Sequence, residues 1–222
     1  MKQKRQQRFI LSIVGSLIAV IVVISVYIVY LLFSTPPTVY APDDLQEQMD
    51  GITTIDPSLP MPDFTLTDHT GERLRLSDLD QRPTLITFGF THCPDVCPIT
   101  LGEMRAIREA LDTSADAIDY VFISVDGARD TPETLTTYFI TLRVADFMIG
   151  MTGNESSLRA IAEPFGVEFI YQEADQLGNY NVDHTAGMFL LDGNQQWIRR
   201  YRYGTNSAII AEDITDYLQT AE

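Results

Sequence analysis

An α/β fold is predicted: a central mixed sheet flanked by helices, with an extra N-terminal β-hairpin and one N-terminal transmembrane helix. Three observations predict it. Short apolar runs of β-forming residues, bounded by turn residues, read as buried strands. Segments of helical period alternate with them. Near the N-terminus, an uncharged stretch runs too long for an ordinary core element.

That stretch comes first in the chain. Phe9 to Phe33 is 25 residues without a charge. A helix rises about 1.5 Å per residue, so roughly 20 such residues cross a bilayer core of about 30 Å. The stretch exceeds the roughly 7–15 residues of a signal-peptide apolar region, and Val39-Tyr40-Ala41 is a poor cleavage site, so 9–33 is read as an uncleaved anchor. Lys2, Lys4, Arg5 and Arg8 fill a basic tail over 1–8, and the first acidic residue is Asp43. Positive residues stay on the cytoplasmic side. The chain is therefore expected to be a single-pass protein of the cell membrane with its C-terminal domain extracytoplasmic, on the periplasmic or outer face.

Residues 34–60, rich in Pro, Thr and Asp with little apolar periodicity, are expected to be a linker. Residues 61–222 are long enough for one domain with a single core. The net charge of −16 disfavours nucleic acid and anionic surfaces as partners. It would attract cations or a basic protein surface, and a solvated acidic surface accounts for it equally.

The domain opens with a hairpin: Phe64-Thr65-Leu66 and Arg73 to Leu76 alternate in polarity around Asp68-His69-Thr70-Gly71. His69 reads as a solvated turn residue. Pro83 to Phe90 (PTLITFGF) fits a buried central strand, and a helix follows through ITLGEMRAIREAL, where Leu101, Met104, Ile107, Arg108 and Leu111 give mainly helical spacing with an apolar stripe. Tyr120 to Val125 is a second buried strand. Thr131-Pro132-Glu133 opens a helix, with Thr131 as its N-cap and Pro132 at the first helical position. Glu155 to Phe165 is a further helix. Gly187 to Leu191 and Trp197 to Tyr203 pair as strands across the turn Asp192-Gly193, and Asn206 to Leu218 is the closing helix. A β-α-β-α half followed by a β-β-α half, with an added hairpin in front, is the thioredoxin-like arrangement.

The chemistry centres on Cys93-Pro94-Asp95-Val96-Cys97, at the junction of the first buried strand and its helix. In a first helical turn, residues four apart share one face with Cβ atoms about 5–6 Å apart. Two sulfurs so placed can meet on one metal at about 2.3 Å each, or join as a disulfide, whose Cα separation is roughly 4.4–6.8 Å. The helix N-terminus favours thiolate over thiol. An exported domain with two cysteines invites one structural disulfide, but so short a loop gains little from closure.

Three histidines are present: His69, His92 and His184. His92 precedes Cys93 directly, either as a spare ligand or as a neighbour that tunes the cysteine. His184 lies just before the GMFLL strand, where the loop of a thioredoxin-like sheet faces the cysteine junction. Two thiolates and an imidazole are a soft, three-ligand set that suits copper as Cu(I) or Cu(II). Zinc normally requires a fourth ligand, and iron–sulfur clusters need more cysteines.

These residues carry a resemblance. Gly89 to Pro98 (GFTHCPDVCP), Phe122 to Asp126 with Arg129 to Glu133 (RDTPE), Thr152-Gly153, and Val182 to Thr185 (VDHT) stand in order over roughly residues 60–220, and the chain resembles the Sco/SenC family of copper chaperones for cytochrome c oxidase. The resemblance implies a thioredoxin-like copper-binding domain on a single membrane anchor, with Cys93, Cys97 and His184 as metal ligands. It implies as partner cytochrome c oxidase subunit II, whose dinuclear copper site the family supplies with copper or prepares by reducing its cysteines. Another copper-protein client and other copper chaperones are further partners of the same kind. Asp126 and Asp130 are expected close to the metal loop, orienting His184, docking a partner or capping a helix. One departure stands out: the family usually follows the strand-end Asp with Pro, whereas here Gly127 and Ala128 follow Asp126, which is expected to loosen that loop.

The main reading is a metallochaperone without turnover in the enzymatic sense. The alternatives are a thiol–disulfide oxidoreductase working through Cys93 and Cys97, and a copper or redox sensor. Redox proteins of the thioredoxin type use Cys-x₂-Cys, and the extra residue here departs from it. A peroxidase of the peroxiredoxin type is the weakest reading, because Phe90-Thr91-His92-Cys93 matches its motif only in part.

Overall fold

The computed structural model describes residues 51–79 and 81–220, together with Ile24 and Tyr27. The predicted anchor (9–33) and basic tail (1–8) fall outside the described residues, Ile24 and Tyr27 apart. Among the described residues, no helix is long and apolar enough to cross a membrane.

The strands are β1 (Ile52–Pro60), β2 (Thr65–Asp68), β3 (Arg73–Arg75), β4 (Thr84–Gly89), β5 (Asp119–Ser124), β6 (Met148–Thr152), β7 (Phe169–Tyr171), β8 (Val182–His184), β9 (Gly187–Leu191) and β10 (Gln196–Arg202). The helices are α1 (Val96–Leu111), α2 (Pro132–Leu142), α3 (Glu155–Ala162) and α4 (Ser207–Thr220). Eight strands form one mixed sheet in the order β1-β10-β9-β4-β5-β6-β2-β3, while β7 and β8 pair separately. The central β4, β5 and β6 run parallel, and β9 joins β4 antiparallel.

Strand alternation splits the core into two layers. Leu85, Tyr120, Phe122 and Leu190 face α1, α2 and α4 through Leu101, Met104, Leu135, Phe139, Ile210 and Ile214. Ile86, Phe88, Val121, Ile123 and Phe189 face the other way, onto Phe165, Phe169, Val182 and the α3 residues Leu158 and Ile161. All six residues of β4 and all six of β5 are buried, so their near-continuous apolar character has a cause in two-sided packing.

The local signals act as expected where they are strong. Thr131 caps α2 by accepting from Thr134 N, with Pro132 in the first turn. Asn154 caps α3 in the same way through Ser157 N. The stripe of α1 begins one turn earlier than its predicted start, at Cys97, and continues through Leu101, Met104, Ile107 and Leu111. Pro98 sits in its first turn, where a missing N–H costs nothing.

Three differences from expectation have physical reasons. Residues 52–60 are not linker: they form β1, an edge strand paired with β10 from Ile52 opposite Tyr201 to Pro60 opposite Gln196. Most of β1 is exposed, so it is held by backbone bonds and shows no apolar alternation. His69 is not a free turn residue. Its Nδ1 accepts from Gly150 N at 3.2 Å and its ring stands edge-on to Phe139, so it pins the first hairpin to β6. His184 lies at the end of a strand, not in a loop, with Phe169 opposite it.

Candidate metal centre

Three segments converge at the C-terminal end of the parallel strands. The turn after β4 carries Cys93, α1 carries Cys97, and β8 carries His184. Cys97 is 2% exposed because it opens the apolar stripe of α1, whereas Cys93, one turn earlier, remains half-buried. Gly89 makes room for this: a Cβ there would lie 2.8 Å from the Phe122 ring and 3.0 Å from Cys97 Sγ. The sulfur can therefore sit directly against the end of β4.

Cys97 Sγ lies 3.5 Å from His184 Nε2, and Cys97 N donates to Cys93 Sγ at 3.4 Å. His184 Nδ1 is 3.1 Å from the carbonyl oxygen of Thr185, which can only accept. The proton therefore sits on Nδ1, leaving the Nε2 lone pair toward the sulfur. Phe90 stands edge-on to the imidazole with ring centres 6.0 Å apart. Among the described residues no group of three or more His, Cys, Asp or Glu side chains is placed so that it could hold a metal ion as it stands. Cys93, Cys97 and His184 are an open cluster with Cys97 between its two partners.

The two thiols differ sharply in acidity. The hydrogen bond from Cys97 to Cys93 is the largest influence on Cys93; against the opposing effect of burial, and helped by the N–H groups of Cys97 and Asp95, it brings Cys93 down to about 5. The same bond, with burial, pushes Cys97 far above the ordinary thiol range. The reduced pair is thus one accessible thiolate and one buried thiol. Alkylation follows the thiolate. Its rate at Cys93 should reach half its plateau near pH 5, instead of near the ordinary thiol value of 9.0. Peptide mass spectrometry after timed iodoacetamide labelling reads this directly, and a midpoint near 9 would contradict the arrangement.

The other residues singled out in the sequence take different places. His92 is half-exposed beside the cluster; its Nδ1 lies 3.0 Å from Thr91 Oγ1 and 3.8 Å from Asp130 Oδ1. Asp130 is 0% exposed and accepts from Thr91 Oγ1 at 2.6 Å, Ser124 Oγ at 2.7 Å and Thr91 N at 3.0 Å. It fastens the turn that leads into Cys93 to the end of β5. Burial raises its pKa, against the lowering effect of these bonds. Asp126, equally buried, instead accepts from Tyr180 Oη at 2.7 Å and pairs with Arg129 Nε at 2.5 Å. The two carboxylates therefore brace two different sides of the site.

The loop after Asp126 is packed, not loosened. A Cβ at Gly127 would fall 1.7 Å from the Gly153 carbonyl oxygen, so the close approach of these two backbones requires glycine. Arg129, Tyr171 and Tyr180 also belong to the frame of the site, and sequence reasoning assigned them no role. Arg129 lies inside the quoted RDTPE motif, whereas the tyrosines sit in a segment without periodic signal.

Comparison with known proteins identifies the family. The SCO1/SenC family model matches residues 53–219. A SCO2-like protein of Rickettsia felis is 34% identical over 151 residues, which cover 68% of this chain and 73% of that protein. The mitochondrial SCO2 homolog of Danio rerio is 33% identical over 163 residues, 71% of this chain and 57% of that protein. The chain thus spans little more than half the length of the fish relative. Among solved structures, Bradyrhizobium japonicum ScoI with copper bound is 32% identical, with a TM-score of 0.65 covering 71% of this chain and 99% of that one. With a thioredoxin-like mixed sheet, two cysteines and a histidine gathered at its strand ends, and a family match over three-quarters of its length, this chain belongs to the SCO1/SenC family.

Proposed function

We propose that this protein is a membrane-anchored copper metallochaperone, taking copper as cargo on Cys93, Cys97 and His184 and passing it to a client. The observation that carries this reading is the convergence of Cys97 Sγ and His184 Nε2 at 3.5 Å, beside the Cys93 thiolate, with the imidazole proton held away on Nδ1. Donors at about 2.0–2.3 Å from one shared metal stand nearly this far apart. Two soft sulfurs and one imidazole suit copper in either oxidation state. The copper-bound Bradyrhizobium relative supports the same choice of metal. Copper there would be exchangeable because Cys93 stays accessible while Cys97 and His184 are backed by protein.

The family resemblance points to the dinuclear copper site of cytochrome c oxidase subunit II as the client. The uncharged stretch 9–33 supports anchoring, with the domain outside the cytoplasm.

The test is a titration of the reduced full-length chain with Cu(I) under anaerobic conditions, read by X-ray absorption. One tightly held copper with two sulfur neighbours and one nitrogen is expected. His184→Ala should lose the nitrogen neighbour and abolish the thiolate-to-copper absorption of the Cu(II) form. An unchanged spectrum would overturn the three-ligand site.

The acidity split between the cysteines favours a second reading, thiol–disulfide exchange with the client. The Cys93 thiolate would attack a client disulfide and Cys97 would resolve the mixed disulfide, reducing the client as the pair is oxidised. Absence of tight copper binding, with ready cycling of the pair, would favour that reading.

A further inference from the structure

His184 stands on a hairpin that shares no backbone ladder with the main sheet: β7 and β8 bond only to each other. On one side His184 is tied to the sheet by the short link to Gly187 of β9, so side-chain contacts decide how the rest of the hairpin closes on the cysteines. At the His184 end of the hairpin Arg159 Nη1 donates to the Phe169 carbonyl at 3.1 Å, and at the loop end, where Tyr171 faces Val182, Tyr171 Oη donates to the Val125 carbonyl at 2.8 Å. The loop beyond that end is held by Arg129. Its Nη1 donates to the Tyr180 carbonyl at 2.9 Å, and its guanidinium carbon lies 3.6 Å from the centre of the Tyr180 ring. Its Nε is fixed on buried Asp126, which also accepts from Tyr180 Oη. The guanidinium also lies 5.8 Å from the centre of Phe90, the ring that abuts His184. A planar, charged fork is thus held between the residue that braces the imidazole and the loop that leads to it.

We propose that Arg129 is a positioning residue for His184: by joining Tyr180 and Phe90 over Asp126, it holds the β7–β8 hairpin closed on Cys97 and so keeps the imidazole in the coordination sphere. This rests on the copper reading only for its second consequence. The first concerns the metal-free protein. Cys97 is 2% exposed and has His184 at 3.5 Å, so release of the hairpin uncovers it. The second is that a loaded protein without the clamp keeps both sulfurs and loses the nitrogen. A lysine cannot replace the arginine here, because a point charge lacks both the bidentate fork and the stacking plane.

The experiment uses the reduced full-length chain with Arg129→Ala, Arg129→Lys and, from the hairpin side, Tyr180→Ala. In the copper-free protein, Cys97 alkylation resolved by peptide mass spectrometry should rise about tenfold or more in all three, as local opening becomes easier. Cys93 labelling should stay near wild type. With Cu(I) bound, X-ray absorption should show two sulfur neighbours and no nitrogen. Cys97 labelling at the wild-type rate in the alanine variants, or protection restored by Arg129→Lys, would overturn the clamp. If Arg129→Ala fails to fold, Tyr180→Ala carries the same decision. A wild-type chain that binds no copper would overturn the proposed function instead, and would leave the labelling result to decide the clamp.

Discussion

Cys97→Ser is expected to lower Cu(I) affinity by more than the roughly 10–100-fold typical of losing an outer partner of a ligand. Two effects act together. A chelating pair becomes a single thiolate, and the serine hydroxyl is a hard donor that stays protonated at neutral pH. In addition, the hydrogen bond from Cys97 is the largest influence holding Cys93 near 5. Serine offers a different donor length in a pocket shaped for sulfur, so the Cys93 thiol should titrate closer to its ordinary 9.0. The remaining ligand would then be less often ionised near neutrality. Competition with a Cu(I) chelator of known affinity measures the first effect, and the pH midpoint of Cys93 alkylation the second. Tight binding retained in Cys97→Ser would place the copper site elsewhere. A lost affinity with an unmoved Cys93 midpoint would keep the site but remove the shared proton.

Asp130→Ala is expected to cost about 2–4 kcal/mol of folding stability, because buried hydrogen-bond donors left unpaired cost about 1–3 kcal/mol each. Thr91 N cannot turn elsewhere, and the buried hydroxyl of Ser124 loses its acceptor. Asp130→Asn keeps an acceptor oxygen and removes the buried charge, so its loss should be much smaller. The pH dependence has a definite sign. The folded pKa of Asp130 lies above the ordinary carboxylate value of 3.8, so the folded state binds this proton more tightly than the unfolded chain. Its contribution is therefore largest at pH below the unfolded value, and is lost as the pH rises through the raised folded one. Urea unfolding of wild type and Asp130→Asn between pH 3 and 7 should show the wild type losing ground to the variant as pH rises, on the order of the shift itself. Parallel curves would mean that Asp130 titrates as an exposed carboxylate does.

Both predictions depend on facts of different legibility. The strands β4, β5 and β9 and the helix α1 are readable because two-sided burial and helical packing impose apolar runs and a stripe on the local sequence. Strand β1 was legible only as polar chain, since an edge strand needs backbone partners more than apolar side chains. Strands β6, β7 and β8, with five, three and three residues, are too short to establish a period. His69 shows the limit for a single residue: turn position suggested solvent, while its ring is packed on Phe139.

The amino-acid sequence by itself determined the thioredoxin-like class, the family motifs and the identity of the two cysteines and one histidine, because residue type and spacing along a strand or helix are local properties. Tertiary structure alone decided how those residues differ. Burial splits Cys93 from Cys97, long-range bonds assign Asp130 to the cysteine turn and Asp126 to the histidine hairpin, and Arg129 joins elements 51 residues apart at Tyr180. Desolvation and hydrogen bonding depend on which atoms meet in space, and no pattern along the chain encodes those distances.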